Sequence, residues 1–191
     1  GYLCLASLPP KQRLLREEFF RWPEQTDLAL DFIQRYTMTH NVYFCSTLMS
    51  EAKRTKEKAT NSLIVWADLD ACNPSKVAET PTFVLESSPN RFQALWKLDK
   101  PVPAYDAEDI ARRIAYKYEA EGADKSGWDL TQLLRIPFTI NHKYGGGLIS
   151  GPQVKIVNVN DVEYTLEELR EALPQVATYA SSDVPLPEEA D

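Results

Sequence analysis

Histidine is scarce in this chain, two among 191 residues, and cysteine hardly commoner at three. Cys4, Cys45 and Cys72 are odd in number, widely spaced and form no C-x-x-C pair. That argues against a disulfide framework or a zinc site and suits a reducing compartment, so a cytoplasmic location is expected. His40 and His142 flank no ligand set, and His40 reads as a loop residue. Also missing are G-x-x-x-x-G-K-S/T, G-x-S-x-G and G-x-G-x-x-G. Walker-type ATPase, α/β-hydrolase and Rossmann readings therefore lack their signatures. No apolar run reaches the length of a membrane span and no signal peptide opens the chain, so no membrane partner is expected.

What is present is enough for one folded domain, with 43% hydrophobic residues. The net charge of −7 weakens a duplex-DNA-binding reading, yet the last ten residues, "SDVPLPEEAD", carry four acids and no base. Residues 176–191 read as an acidic, Pro-rich tail or linker and residues 1–175 as the domain proper. Net charge describes fields, not sites. The first residue is Gly1, so a piece of a longer protein is expected.

Along the chain, "GYLCLAS" predicts a strand, "KQRLLREEFFRW" a helix, and "QTDLALDFIQRY" a second helix with Leu28, Phe32 and Tyr36 on one face. "NVYFCSTLM" predicts a strand, followed by a polar connection with the basic run Lys53, Arg54, Lys56 and Lys58. Strands follow at 63–70, 82–87 and 91–98, the last two joined by "SSPN". "DAEDIARRIAYKYEAEG" predicts a helix stopped by Gly122, with Ile110, Ile114 and Tyr118 on one face. Asp129 and Gln132 suggest a capping box for a short helix over 129–135. "QVKIVNVN" predicts a late strand, and Thr165 with Glu168 caps a last helix. Paired strands interspersed with helices indicate an α+β fold rather than a doubly wound sheet.

The chemistry concentrates in "VWADLDA". In a strand Asp68 and Asp70 project from the same face, and two carboxylates that close repel each other. A divalent cation, a basic residue or protonation must offset the repulsion. Strand 91–98 alternates, with Arg91, Gln93, Leu95 and Lys97 opposite Phe92, Ala94, Trp96 and Leu98. If the two strands share a sheet, acids, bases and an amide meet on one surface suited to a metal-bridged anion. Asp124 sits in a loop after Gly122, where an acid is either solvated or a metal ligand. Pro137 forces an extended path that places Thr139, Asn141 and Lys143 on one face.

A strand ending in D-x-D, then "SSPNRFQALW", then "LLRIPFTINHK", resembles the archaeo-eukaryotic primase superfamily, within it the plasmid RepB-type and primase-polymerase branch. The resemblance covers residues 41–144 by motif. It implies an RRM-like, mixed or antiparallel catalytic sheet flanked by helices, behind an N-terminal α/β portion. It also implies a nucleotidyltransferase making primers or DNA on a single-stranded DNA template from NTP or dNTP. By it, Asp68, Asp70 and Asp124 bind two Mg²⁺ or Mn²⁺ ions, with Asp129 as the fallback third acid. Ser87, Ser88, Asn90, Arg91, Gln93, Arg135, Asn141 and Lys143 would contact nucleotide, Gln93 standing where relatives often carry His. The context expected is replication of a plasmid, phage or other mobile element, with a helicase part or additional helical domain in the full-length protein. The competing readings are a metal-dependent nuclease and a catalytically silent replication-initiator module that binds nucleic acid.

Overall fold

The computed structural model describes residues 1–144 and 151–176. Nearly all of the acidic tail expected at 176–191 lies outside those residues. The described chain forms two four-stranded antiparallel sheets and three α-helices. One sheet runs β2 (Arg16–Arg21), β1 (Tyr2–Leu8), β3 (Asn41–Cys45), β7 (Leu133–Arg135). The other runs β4 (Ser62–Asp70), β6 (Arg91–Val102), β5 (Phe83–Ser88), β8 (Lys155–Val159). The α+β expectation holds, with every strand ladder antiparallel.

The main core lies between the second sheet and α2 (Ala104–Lys117). Val65, Ala67 and Leu69 alternate inward from β4, Ala94, Trp96 and Leu98 from β6, and Ile110 and Ile114 meet them from α2. Trp66 points to the other face of β4 and is fully buried all the same. Leu134 of β7 belongs to the same core and Phe44 of β3 flanks it, which is how the two sheets meet. α3 (Leu166–Ala172) adds Leu166 and Leu169 and starts with the Thr165–Glu168 capping box expected of it. Gly122 ends the α2 region at φ 107°, a left-handed turn that favours glycine. No helix among the described residues is long and apolar enough to cross a membrane.

Three sequence expectations fail for physical reasons. The helix expected over 11–22 is instead β2. Phe19 and Phe20 are adjacent and must reach different places, Phe20 the ring of Phe32 at 5.9 Å and Phe19 the Cys4–Cys45–Met49 cluster. A strand sends neighbours to opposite faces, and a helix cannot. In α1 (Thr26–Tyr36) the buried residues are Ala29 and Phe32, while Leu28 is exposed, so the packed face is turned by one residue. The helix expected over 129–135 is a turn followed by β7. The Asp129 carboxylate accepts the Thr131 N–H at 2.7 Å, and the chain then completes the β3 edge in the register Tyr43↔Arg135. A cap-like turn without a following helix is what Asp in a loop does.

Candidate active site

β4 and β6 share one sheet, and the register sets Asp68 opposite Gln93. Between Asp68 and Asp70 the ladder slips by one residue, and Asp70 takes φ 41°. Such a bulge re-aims the side chains at the strand's end, and strain of this kind gathers at working sites. Asp68, Asp70, Arg91, Gln93, Arg135, Asn141, Lys143, Ser87 and Ser88 all line one polar cavity of about 170 Å³. Tyr43, Leu133 and Tyr144 complete it. A larger cleft of about 530 Å³, lined by Leu5, Ile33, Phe44, Leu63 and other apolar residues, holds no carboxylate and no cation. Carboxylates and cations meet only in the smaller of the two.

The repulsion between the two acids is met in part by protein groups. Arg91 Nε lies 3.0 Å from Asp70 Oδ1, and the Asp70 N–H donates to Asp68 Oδ1 at 3.3 Å. Gln93 bonds the Asp68 carboxyl with its side chain, while its Oε1 accepts the Arg135 N–H at 2.9 Å. Its oxygen being occupied, the Gln93 amide donors are turned to Asp68, and one residue ties β4, β6 and β7 together. Even so, Asp68 is not fully compensated. Burial, with Asp124 and Asp70 nearby, pushes its carboxyl up to about 6. The local partner sought in the sequence is Arg91, and it serves Asp70 only.

Asp124 comes beside Asp68 through the backbone, its N–H donating to the Asp68 carbonyl at 2.9 Å. Its carboxylate is turned outward, Oδ1 accepting from Ser126 N at 2.8 Å and Ser126 Oγ at 2.7 Å, and it does not line the cavity. Among the described residues no group of three His, Cys, Asp or Glu stands ready to hold a metal. Asp129 is committed elsewhere, 2.7 Å from Lys56 Nζ. Asn90 holds the left-handed corner of the β5–β6 turn at φ 58°, outside the cavity lining. Lys97 pairs with Glu163. Three members of the basic run pair with acids of the chain, Arg54 with Glu17, Lys56 with Glu108 and Asp129, and Lys58 with Glu51.

Arg135 is the buried cation of the site, 7% exposed. Its Nη1 donates to Asn41 Oδ1 at 2.9 Å, and the guanidinium stands 4.9 Å from the Tyr43 ring centre. Burial pulls its pKa down, while Tyr43, Tyr144 and Asp68 favour the charge. Asn41 also accepts the His142 N–H at 2.9 Å, and Asn141 donates to the Ser87 carbonyl at 2.7 Å. Asn41, Tyr43 and Gly127 are site residues that motif reading missed. Tyr43 was visible as the one polar-tipped aromatic in an apolar strand. Gly127 was not: a Cβ there would stand 2.9 Å from the Asp68 Cβ, so only glycine lets the Asp124 loop lie against Asp68.

Solved primase structures share this fold. The AEP domain of the cyanophage S-2L primase-polymerase superposes with a TM-score of 0.66 at 12% identity, over 91% of this chain and 89% of that one. The RepB′ primase gives 0.66 at 17% identity, over 90% of this chain and 57% of its own length. The RepB′ catalytic domain solved with initiator DNA gives 0.65 at 16% identity, covering 90% and 86%. No curated protein sequence matches the chain. The family of the RepB DNA-primase N-terminal domain matches residues 11–165, and the chain belongs to it.

Proposed function

We propose that this domain is a DNA primase-polymerase core, transferring nucleotides from NTP or dNTP onto a 3′-hydroxyl on a single-stranded DNA template. The observation that supports the reading most is the under-compensated Asp68–Asp70 pair facing Arg91, Arg135 and Lys143 across one cavity. Oxygen-only donors suit Mg²⁺ or Mn²⁺, and an acid held at about 6 by burial and neighbouring acids is one that a cation would relieve. Asp68 and Asp70 would hold the ions, with Asp124 joining after its side chain leaves Ser126. Bound divalent cations would lower the pKa of the attacking hydroxyl and neutralise charge on the triphosphate.

The remaining roles belong to the chain itself. Arg135 and Lys143 meet phosphate oxygens, and Arg91 becomes available to them once Asp70 is otherwise neutralised. Gln93, Asn141 and Ser87 have their polar ends engaged within the fold and act as positioning residues rather than nucleotide contacts. Replication of a mobile element, with a helicase or helical partner domain, is the context proposed.

The test is incorporation on single-stranded DNA with Mg²⁺ or Mn²⁺, with and without an annealed primer, beside the double variant Asp68→Ala, Asp70→Ala. Products in the wild type that vanish in the variant are expected. Their absence from folded wild type would favour the silent initiator module, a reading helped by the outward turn of Asp124. Degradation of DNA without incorporation would favour the nuclease.

A further inference from the structure

Phe138 lies midway between Arg135 and Asn141, two residues of the cavity wall, yet it is 68% exposed. Its φ is 67°, a left-handed conformation that is an outlier for a bulky side chain. Strain of that kind persists only where the surroundings fix it. Here they do. The Phe138 N–H donates to the Val154 carbonyl at 2.8 Å, and Gln153 Nε2 donates to the Phe138 carbonyl at 3.2 Å. On the next residue the Val154 N–H donates to the Thr139 carbonyl at 2.9 Å, and Thr139 Oγ1 donates to the Ile136 carbonyl at 2.7 Å. The backbone is clamped on both sides while the side chain stands in water. An exposed apolar residue alone means little. An aromatic one on a clamped, strained turn, three residues along the chain from both Arg135 and Asn141 of a cation-lined cleft, means more.

Along the chain Lys143 of the cavity wall follows five residues on, and the exposed Lys155 comes immediately after Val154, whose carbonyl accepts the Phe138 N–H. We propose that Phe138 is a stacking platform for an unpaired base of the single strand that leads into the site, with Lys155 meeting an adjoining phosphate. The inference rests on the reading of the site as one that works on a single-stranded template. Every base presents a π-face, so such a platform tolerates any sequence, and a backbone already fixed in place loses little freedom on binding.

The test is the affinity of the whole chain for a fluorescein-labelled single-stranded oligodeoxynucleotide, read by anisotropy. Phe138→Ala and Phe138→Leu should each weaken binding by about 5- to 150-fold, the leucine variant showing that bulk without a π-face does not suffice. Phe138→Trp should restore affinity, and its added fluorescence should be quenched by the oligonucleotide. Equal affinity of wild type and both truncating variants would overturn the platform while leaving the template reading intact. Weakened binding with unquenched tryptophan at 138 would overturn stacking as its cause. Wild type that binds no single strand at all would take down the reading beneath it as well.

Discussion

Asp68 and Asp129 are both partly buried aspartates, each beside further acids, and burial works against the charge of both. At Asp129 the opposition is beaten. Lys56 Nζ lies 2.7 Å from Asp129 and 2.8 Å from Glu108, the Thr131 N–H adds a bond at 2.7 Å, and the carboxyl is held below its ordinary value. At Asp68 the opposition wins. The Asp70 N–H and Gln93 help, but Asp124 and Asp70 sit close, and the carboxyl rises to about 6. The two clusters look alike as sequence. One is a closed structural device, and the other keeps unmet charge at a cavity mouth, where a cation or a phosphate-bound cation can enter.

The sharpest way to break that contrast is to exchange the insults. Removing both Asp68 and Asp70 should cut nucleotide incorporation by about a thousandfold or more, since several kcal/mol of transition-state charge stabilisation leave with the ion-binding groups. Asp129→Asn should leave incorporation within about threefold, as expected for a group that acts through packing. Steady-state kinetics on a primed template decides it, and an inactive but folded Asp129→Asn would make the fallback third acid the real one.

Gln93 is the next target, because it is the protein's main answer to Asp68 outside the acids themselves. Gln93→Leu should lower turnover by roughly 10- to 100-fold, the usual range for a partner that orients a ligand. It should also move the acidic limb of the pH–rate profile upward, since a donor that favours the Asp68 carboxylate is gone. Lost turnover with an unmoved limb would mean that Gln93 serves only the β6–β7 contact.

Motif and periodicity showed which strands carry the acids and which face of β6 is apolar, because alternation over "RFQALWKL" leaves little choice of face, whereas the pairing of β4 with β6 was only a supposition until the register showed it. They also showed α2, its Gly122 stop and the Thr165 cap, all of which are local in origin. What stayed hidden was set by distant contacts. Nothing near Phe19 and Phe20 says that they serve two cores, and nothing near Leu133 says that β3 lacks an edge partner. The orientation of Gln93, the Asn41 anchor of Arg135 and the closeness of Gly127 to Asp68 each join residues far apart in sequence. The engagement of the basic run by Glu17, Glu51, Glu108 and Asp129 was hidden for the same reason.

Stability against pH gives a quieter version of the same contrast. A folded-state pKa raised to about 6 from 3.8 means that the folded chain binds more protons than the unfolded one between those values. Stability therefore falls as pH rises through that window, and the penalty is complete above it. Asp68→Asn, measured with a chelator present, should then stabilise the protein at pH 7 by at most roughly 3 kcal/mol, since each tenfold change in proton affinity is worth about 1.4 kcal/mol. The gain should fade as pH drops from 6 towards 4 and vanish below the unfolded value of 3.8, where Asp68 is neutral in both states. A gain that is constant across this range would show that packing rather than charge burial sets it.

The smallest effect belongs to the closed cluster. Lys56 is over a third exposed, and it also stands 5.1 Å from the Trp128 ring centre. Lys56→Met keeps the stem over the indole and removes only the charge, leaving Glu108 and Asp129 without their shared cation. Solvent screens a pair this accessible, so the cost should be about 1 kcal/mol and should shrink in high salt. Glu108 then retains its bond from the Leu130 N–H, and Asp129 retains Thr131, so the turn into β7 persists. Denaturant unfolding at low and high salt reads this directly. A loss several times larger, unmoved by salt, would mean that Asp129 and Glu108 depend on Lys56 as a buried acid depends on a cation, and the difference between the two clusters would be one of occupant rather than of kind.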